Sequence, residues 1–246
     1  MAMKQLLLLV VIICCASRLD AQSSAIITDR PDITESAAVV PTGWLQGEHG
    51  FSYIDDYYHT FEIATTLFRL GLNEHTELRL GFSPTLNELS VHDSSNYKFV
   101  QGFDLGVKSI LYAGDKFNVA TIGSIGTAYY NTDNLENLQP YFSILFAGSF
   151  DLFDFWSIGL NTGADWNEEE NYLQFPFSVS NAFSLGDKMG YFVEVFGPDF
   201  TENGFSLDAG LTYLISDNFQ VDISGGFNFG YETSFISTGF AYRFEL

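Results

Sequence analysis

The chain has 246 residues, which is enough for one large β domain or two ordinary ones. Its 31 acidic and 10 basic residues give a net charge of −21, which argues against nucleic acid as a partner because a phosphate backbone requires clustered Lys and Arg. Phe (25) and Gly (22) are abundant, a composition unusual for a soluble enzyme but typical of strands that present rings to lipid and small groups to water.

The first 21 residues have the organisation of a secretory signal. Lys4 precedes an apolar run from Leu6 to Cys15, and cleavage is predicted after Ala21. The apolar run is too short for a membrane-spanning helix. Because both cysteines lie in this segment, the mature protein is expected to hold no disulfide and no thiolate metal site. A lipoprotein signal is the alternative, but neither Cys14 nor Cys15 follows a small residue.

Residues 22–43 show no hydrophobic period and carry several charges, so they are predicted to form an irregular segment. From Trp44 to the end, the chain is a series of runs with a period of two, as in strands that have one apolar face. The runs are 44–54, 61–72, 76–83, 99–112, 117–130, 141–150, 155–166, 172–184, 191–196, 205–215, 219–229 and 235–246.

The final run illustrates the alternation. Its two faces are Phe240, Tyr242 and Phe244 on one side and Gly239, Ala241 and Arg243 on the other. In a membrane barrel the last strand must pair with the first, because hydrocarbon tolerates no unpaired backbone edge. The pattern therefore suits a sheet that closes on itself.

The connections between runs alternate in length. Short ones at 73–75, 113–116, 151–154, 185–188 and 216–218 are separated by longer ones at 55–60, 84–98, 131–140, 167–171, 197–204 and 231–234. Short periplasmic turns and longer outer loops are typical of outer-membrane barrels, whereas a soluble β-sandwich has no reason to alternate its loops. The sequence thus predicts an all-β, transmembrane, antiparallel up-and-down β-barrel over 44–246, with about twelve strands and the segment 22–43 as a candidate plug of its lumen.

Four stretches carry a family resemblance. The element Thr-Asp-Arg-Pro-Asp-Ile-Thr-Glu-Ser at 28–36, with the Pro, Gly, Gln and Glu pattern of 40–50, resembles the outer-membrane transporter family named after the meta-cleavage pathway of phenol degradation. The stretches 67–72 and 77–79 are similar to the same family. The resemblance covers most of the mature chain and implies a single-chain outer-membrane barrel that acts as a transporter or channel. It implies little about the solute.

The end of the chain resembles the C-terminal assembly signal of such barrels, at Gly239, Tyr242 and Phe244. This resemblance implies the barrel-assembly machinery as a partner. The barrel prediction adds outer-membrane lipid and lipopolysaccharide as surroundings, and an unidentified small-molecule solute as cargo.

Charged residues on the face opposite the rings are predicted to point into the lumen. These candidates are Glu48, Arg69, Glu77, Arg79, Asp104, Lys108, Asp165, Glu194, Asp208, Asp222 and Arg243. Such charges either pair and brace the wall or line a wet pathway. Because Arg69, Glu77 and Arg79 lie on neighbouring strands across a short turn, a paired cluster is expected. The acidic excess favours cations and neutral solutes over anions.

The charged stretch of the N-terminal segment is the main functional candidate. Arg30 is expected to pair with lumen carboxylates, and Asp32 or Glu35 with Arg69 or Arg79, so that the segment forms a constriction or plug. The alternative is a disordered periplasmic tail.

The expected function is passive passage of small neutral or cationic solutes, with hydrophobic compounds as a further solute class. A structural or adhesive barrel with a blocked lumen is the alternative. An enzyme barrel requires a Ser/His or Asp/His constellation near the outer rim. His49 falls on the apolar face, His75 in a short turn, and His59 and His92 in outer loops, so we predict no catalytic site and no cofactor.

Acidic groups in the outer loops are the remaining candidates for ligand chemistry. They are Asp55 and Asp56 with His59, and the run Glu168, Glu169 and Glu170. We expect them to interact weakly with divalent ions near lipopolysaccharide, and we predict no metal site.

Overall fold

The computed structural model describes residues 25–55, 59–88, 97–130, 138–167, 172–198, 204–230 and 232–246. The predicted signal and parts of the predicted outer loops lie outside these ranges. No helix in the described ranges is long and apolar enough to cross a membrane. The strands are β1 (Trp44–Asp55), β2 (Thr60–Asn73), β3 (Thr76–Glu88), β4 (Tyr97–Ala113), β5 (Phe117–Tyr130), β6 (Leu138–Phe153), β7 (Trp156–Asn167), β8 (Tyr172–Gln174), β9 (Phe177–Leu185), β10 (Met189–Gly197), β11 (Ser206–Ser216), β12 (Phe219–Asn228) and β13 (Thr233–Glu245).

The strands form one closed antiparallel barrel, which confirms the predicted fold class. Neighbours in sequence pair with each other, and β13 pairs with β1 from Trp44↔Glu245 to Asp55↔Ser234. The β6–β7 pairing completes the ring on the opposite side. Closure leaves no open sheet edge, as a hydrocarbon environment requires.

One predicted strand is divided. The run 172–184 becomes β8 and β9, which both pair with β7 and are separated by Phe175 and Pro176. Proline has no backbone N–H to donate to the ladder, so the strand is interrupted there. The carbonyl oxygen of Pro176 still accepts a hydrogen bond from the Gly163 amide at 3.2 Å. The described barrel therefore has thirteen strands, and β8 and β9 together occupy one of its twelve places in the wall.

The barrel hairpin between β3 and β4 is longer than predicted. The pairing continues through Pro84↔Gln101 as far as Glu88↔Tyr97, so the connection predicted at 84–98 is too long. The apolar face is interrupted at the paired Pro84 and Gln101 and resumes at Leu86 and Phe99, so the alternation alone places the end of the strands too early.

The wall has its apolar face outside and its charged face inside. Leu105 and Ile125, which point outward, are 47% and 54% exposed, whereas the inward-facing Arg69 and Lys108 are both 0% exposed. A water-soluble protein would have the opposite arrangement. The outer face is therefore the surface that meets lipid, and the interior is a filled polar lumen.

Aromatic side chains form a band at the end of the barrel that carries the short turns. Trp156 stacks on Phe183 with ring centroids 5.6 Å apart, and Phe183 stacks on Tyr191 at 4.7 Å. Tyr242 and Phe244 stack at 6.3 Å near the end of β13. Rings at this level suit the boundary between lipid and water, where aromatic girdles occur.

A charge on the outer face should destabilise the barrel according to its depth. Replacing Leu105 in the middle of β4 by Arg should lower the free energy of unfolding by about 2–4 kcal/mol, because the guanidinium would meet hydrocarbon. Leu111→Arg, on the same face near the end of the same strand, should lower it by only about 0–1 kcal/mol. Urea unfolding in lipid vesicles measures both, and equal effects would contradict a lipid-facing wall.

Candidate functional site

Residues 25–43 lie inside the barrel as an irregular segment, here called the N-terminal segment. Both of its ends are held near the short turns: the Ile26 amide donates to Asp217 O at 2.8 Å, and the Gly43 amide donates to Gly71 O at 2.9 Å. Between these points the segment contacts strands on several sides of the lumen. Ile26, Ala37 and Val40 are among its buried residues.

One side of the segment joins a group of buried charges, here called the charge cluster. It consists of Asp29 and Glu35 from the segment with Glu48 of β1, Arg69 of β2, Glu77 and Arg79 of β3, and Lys108 of β4. Three cations thus face four carboxylates. The wall residues of the cluster are between 0% and 5% exposed, so their charges are balanced by each other and not by water.

Arg69 binds two wall carboxylates. Its Nε and Nη2 donate to the two carboxylate oxygens of Glu77 at 2.8 and 3.0 Å, which is the bidentate geometry of a strong charge-assisted pair. Its Nη1 donates to Glu48 Oε1 at 2.9 Å. Glu77 also accepts from the amide of Val40 at 2.7 Å, so the same carboxylate holds the segment.

Asp29 is the centre of the cluster. Its Oδ2 lies 2.7 Å from both Arg79 Nη1 and Lys108 Nζ, and 3.1 Å from Arg69 Nη1. Its Oδ1 accepts from the amide and the hydroxyl of Ser36 at 3.0 and 2.8 Å. Burial alone would raise the pKa of Asp29, but the three cations hold that pKa well below its ordinary value.

Glu35 extends the cluster across the lumen. Its carboxylate accepts from Arg79 Nη2 at 2.7 Å and lies 3.2 Å from Lys108 Nζ. Its backbone is bonded to β7, because the Glu35 amide donates to Asn161 Oδ1 at 2.6 Å and Asn161 Nδ2 donates to Glu35 O at 3.0 Å. One residue of the segment therefore connects β3 and β4 with β7.

The other side of the segment meets carboxyl groups without cations. Glu194 of β10 accepts from the Ile33 amide at 2.7 Å and from the Thr34 hydroxyl. Ser180 of β9 donates to Asp32 Oδ2 at 3.1 Å. Burial raises the pKa of Asp32 to about 8, and the negative charge of Glu194 adds to the shift. Asp208 of β11 is paired directly with Glu194, so Asp32, Glu194 and Asp208 form a second group, here called the carboxyl cluster.

Arg30 occupies a slot between the first and last strands. Its Nη2 donates to Asp222 Oδ1 at 3.1 Å and to Ser237 Oγ at 3.2 Å. Gly50 and Gly239 face each other across the β1–β13 pairing beneath the guanidinium. A Cβ would lie 2.0 Å from Arg30 Nη1 at Gly50 and 2.5 Å from Nε at Gly239, so a side chain at either position would displace the guanidinium.

Several sequence-predicted residues meet as expected, and others lie elsewhere. Arg30 reaches the lumen carboxylate Asp222, and Glu35 reaches Arg79. Asp32 does not contact Arg69 or Arg79 and lies against β9 and β10 instead.

The remaining lumen candidates contact neither cluster. Asp104 fills the space above Gly81 on the neighbouring strand. Arg243 donates to Asn218 Oδ1 at 2.9 Å and lies 5.1 Å from the Trp44 ring centroid. Asp165 accepts from Ser143 Oγ at 2.5 Å.

Sequence reasoning missed the uncharged residues that hold the segment. They are Gln46, Asn161, Ser178 and Ser180, together with the two glycines under Arg30. Their inward positions follow from the same period-two pattern that identified the charged residues. Attention to amide and hydroxyl side chains on that face would have found Gln46, Asn161, Ser178 and Ser180.

Two of the described histidines have aromatic or acidic neighbours. His49 stacks on Phe240 and Tyr242 on the outer face, at centroid distances of 4.9 and 5.6 Å. His59 lies 2.9 Å from Asp55, and no group of His, Cys, Asp and Glu in the described ranges is arranged to hold a metal ion. His92, Asp56 and the run 168–170 lie outside the described residues.

Residues 28–244 match the model of the family described as "Putative MetA-pathway of phenol degradation". The chain belongs to this family. The match includes most of the N-terminal segment and nearly the whole wall. Among proteins with curated descriptions, none matches the sequence.

Solved outer-membrane channels share the fold. The KdgM porin superposes with a TM-score of 0.60 at 10% identity, covering 80% of this chain and 99% of the porin. An outer-membrane channel from Pseudomonas putida F1 gives 0.60 at 11% identity, covering 92% and 100%. The NanC porin gives 0.53 at 9% identity, covering 80% and 98%. The protein is an outer-membrane β-barrel.

Removing the Arg69 guanidinium from the charge cluster should destabilise the folded barrel. Arg69→Met leaves buried carboxylates unpaired and should lower the free energy of unfolding by about 3–5 kcal/mol, as measured by urea unfolding in detergent. Arg69→Lys keeps the charge without the fork and should have a smaller effect. A Met variant as stable as the native protein would show that the cluster adds no net stability.

The slot beneath Arg30 should not tolerate a methyl group. Gly50→Ala should weaken the binding of the segment by about 1–3 kcal/mol, because the new Cβ overlaps the guanidinium. Limited proteolysis of the N-terminal segment in detergent measures the loss. Gly123→Ala is the matched control, since a Cβ there has no neighbour within 4 Å. Equal protease resistance of both variants would contradict the slot.

Proposed function

We propose that the protein is a passive outer-membrane channel for small neutral or cationic solutes, and that its N-terminal segment is the plug that holds the lumen closed. The observation that carries this proposal is the charge cluster. Its residues join the segment to four neighbouring wall strands, and Glu35 joins it to a fifth on the far side. A disordered periplasmic tail would make no such contacts.

The wall around the segment is polar enough to conduct once it is uncovered. The inward-facing candidates comprise seven carboxylates and four cations. The carboxylates are Glu48, Glu77, Asp104, Asp165, Glu194, Asp208 and Asp222, and the cations are Arg69, Arg79, Lys108 and Arg243. A narrow lumen with an acidic excess concentrates cations and repels anions. This balance supports neutral and cationic solutes as the transported class.

The relatives add little about the solute. The KdgM porin has been seen in complex with oligogalacturonate, which is itself anionic. The acidic excess of this lumen gives no support for oligogalacturonate as a solute of this protein. Hydrophobic compounds remain a further proposed solute class.

We infer that the protein is not an enzyme, because His49 contacts Thr66 and outward-facing rings, and His59, which pairs with Asp55, has no serine among its described partners. A structural or adhesive barrel with a blocked lumen is the second candidate. The near-complete burial of the wall residues in the charge cluster favours it if the segment never leaves. Conductance separates the two functions.

Gly239, Tyr242 and Phe244 are proposed as the signal read by the barrel-assembly machinery. Tyr242 and Phe244 point outward at the end of β13, where another protein can reach them before the barrel closes. Gly239 points inward beneath Arg30, and the close approach of this guanidinium is a second reason for a glycine at this position. Lipid and lipopolysaccharide are the proposed partners of the outer face.

Deleting residues 22–40 from the mature chain should open the pore. Single-channel conductance in planar bilayers should rise from near zero in the full-length protein to a steady value, and potassium should pass more readily than chloride. Resistance of the folded barrel to detergent checks that the deletion variant has assembled.

Each possible result of this experiment has a distinct meaning. Conductance that does not change on deletion would contradict the plug. Preference for chloride would contradict the acidic lumen. No conductance from either assembled protein would favour the blocked structural barrel.

A further inference from the structure

The N-terminal segment is held on its two sides by different chemistry. On the side of β1 to β4, Asp29 and Glu35 bind Arg69, Arg79 and Lys108 as opposite charges. On the side of β9 to β11, the described neighbours of the Asp32 carboxyl are the Ser180 hydroxyl and the carboxyl groups of Glu194 and Asp208. The two attachments therefore respond differently to protons.

The carboxyl cluster has no counter-ion among the described residues. Glu194 and Asp208 are 0% and 2% exposed, and no described salt bridge reaches either of them or Asp32. The nearest cation on the segment, Arg30, is directed to Asp222 of β12. Neither oxygen of Asp208 accepts a bond from a protein N–H or O–H donor, although its carboxyl lies within hydrogen-bonding reach of Glu194.

Protonation is the simplest way to stabilise these buried carboxyl groups. Glu194 accepts two bonds from the segment, so it acts as the carboxylate acceptor. A proton between Glu194 and Asp208 satisfies both groups, and a proton on Asp32 removes its repulsion from Glu194. Three buried carboxylates in contact without a cation would otherwise repel strongly.

A cavity lies beside this attachment. Its volume is about 510 Å³, and it opens at the end of the barrel that carries the short turns. Arg30, Pro31 and Asp32 form its wall on the segment side, and Ala182, Phe192 and Thr212 form it on the barrel side. Movement of residues 31–34 away from β9 and β10 would enlarge this cavity along the wall.

We propose that residues 31–34 are a proton-operated gate: they close the lumen while the carboxyl cluster is protonated and leave the wall when the cluster loses its protons. The charge cluster keeps the rest of the segment attached. This inference rests on the proposed channel function and adds its regulation.

The direction of the pH dependence follows from the groups that surround Asp32. Ser180 of β9, Glu194 of β10 and Asp208 of β11 face it, and Asp29 and Arg30 are its charged neighbours on the segment. Because burial raises the pKa of docked Asp32 to about 8 from an ordinary value of 3.8, docking takes up a proton between these values. The docked state is therefore most stable at low pH and weakens as the pH rises towards about 8, beyond which the effect levels off.

Single-channel recording of the full-length protein from about pH 5 to about pH 9 tests the gate. The open probability should rise with pH by up to about tenfold per unit, the limit for release of one proton, and should level off above about pH 8. Asp32→Asn keeps an oxygen that accepts from Ser180 but cannot ionise, so its channel should stay closed over the whole range. Asp187→Asn, a carboxylate in an exposed short turn, is the matched control and should keep the native profile.

A reversible tether provides a second test. Thr34 Oγ1 and Ser178 Oγ are 2.8 Å apart, so cysteines at both positions are placed to form a disulfide. The oxidised double variant should stay closed at high pH and should regain the pH response when reduced. Each single cysteine variant should respond without any effect of reductant. The native cysteines, Cys14 and Cys15, lie in the segment predicted to be cleaved.

The results distinguish failure of the gate from failure of the channel. A flat pH profile in the full-length protein, with conductance restored by deleting residues 22–40, would overturn the gate and leave the channel. An Asp32→Asn variant with the native pH profile would also overturn it. No conductance in any assembled form, including the deletion, would overturn the channel itself.

Discussion

The structure depends on the pairing of buried charge between the N-terminal segment and the wall. Arg69, Arg79 and Lys108 point into the lumen, where Glu48 and Glu77 are the wall carboxylates that pair with this group among the described residues. Asp29 and Glu35 of the segment complete the balance. An uncompensated buried cation destabilises a protein by several kcal/mol, so the segment and this wall are each required by the other. The segment is thus part of the core of the barrel, although it has no regular secondary structure.

Much of the wall could be predicted from the sequence because a strand in lipid follows a strict period of two. That period gave the faces of nearly every strand and the pairing of the last strand with the first. The prediction failed where the period does not report which backbone groups are paired. The alternation continues through Phe175 and Pro176, yet proline cannot donate to the ladder and the strand divides there. At the outer ends of β3 and β4 the ladder continues past Pro84 and Gln101, where the apolar face is interrupted.

The site could be predicted only in part, for a different physical reason. Whether a wall side chain points inward follows from its place in the alternation along the strand, so the wall members of the charge cluster could be identified. Partners across the lumen depend on the path of a segment that has no period, and Asp32 accordingly lies against the acidic wall and not against an arginine. The glycines beneath Arg30 were also out of reach, because the guanidinium that requires them belongs to a residue about twenty positions before Gly50 in sequence. The residue pattern of one strand does not show which side chain of another segment packs against it.

The two attachments of the segment also differ in strength, and this difference decides which side leaves the wall first. Breaking one partner of a buried ion pair destabilises by about 3–5 kcal/mol, whereas a neutral hydrogen bond contributes about 0.5–1.5 kcal/mol and one to a charged group about 1.5–3 kcal/mol. The side near β1 to β4 is held by several ion pairs that share Asp29, while the side near β9 and β10 is held by Ser178, Ser180 and Glu194. Any partial release therefore begins at Asp32 to Thr34. Because Asp32 borders the cavity at the short-turn end, loss of the weaker attachment is also the change that would enlarge the lumen.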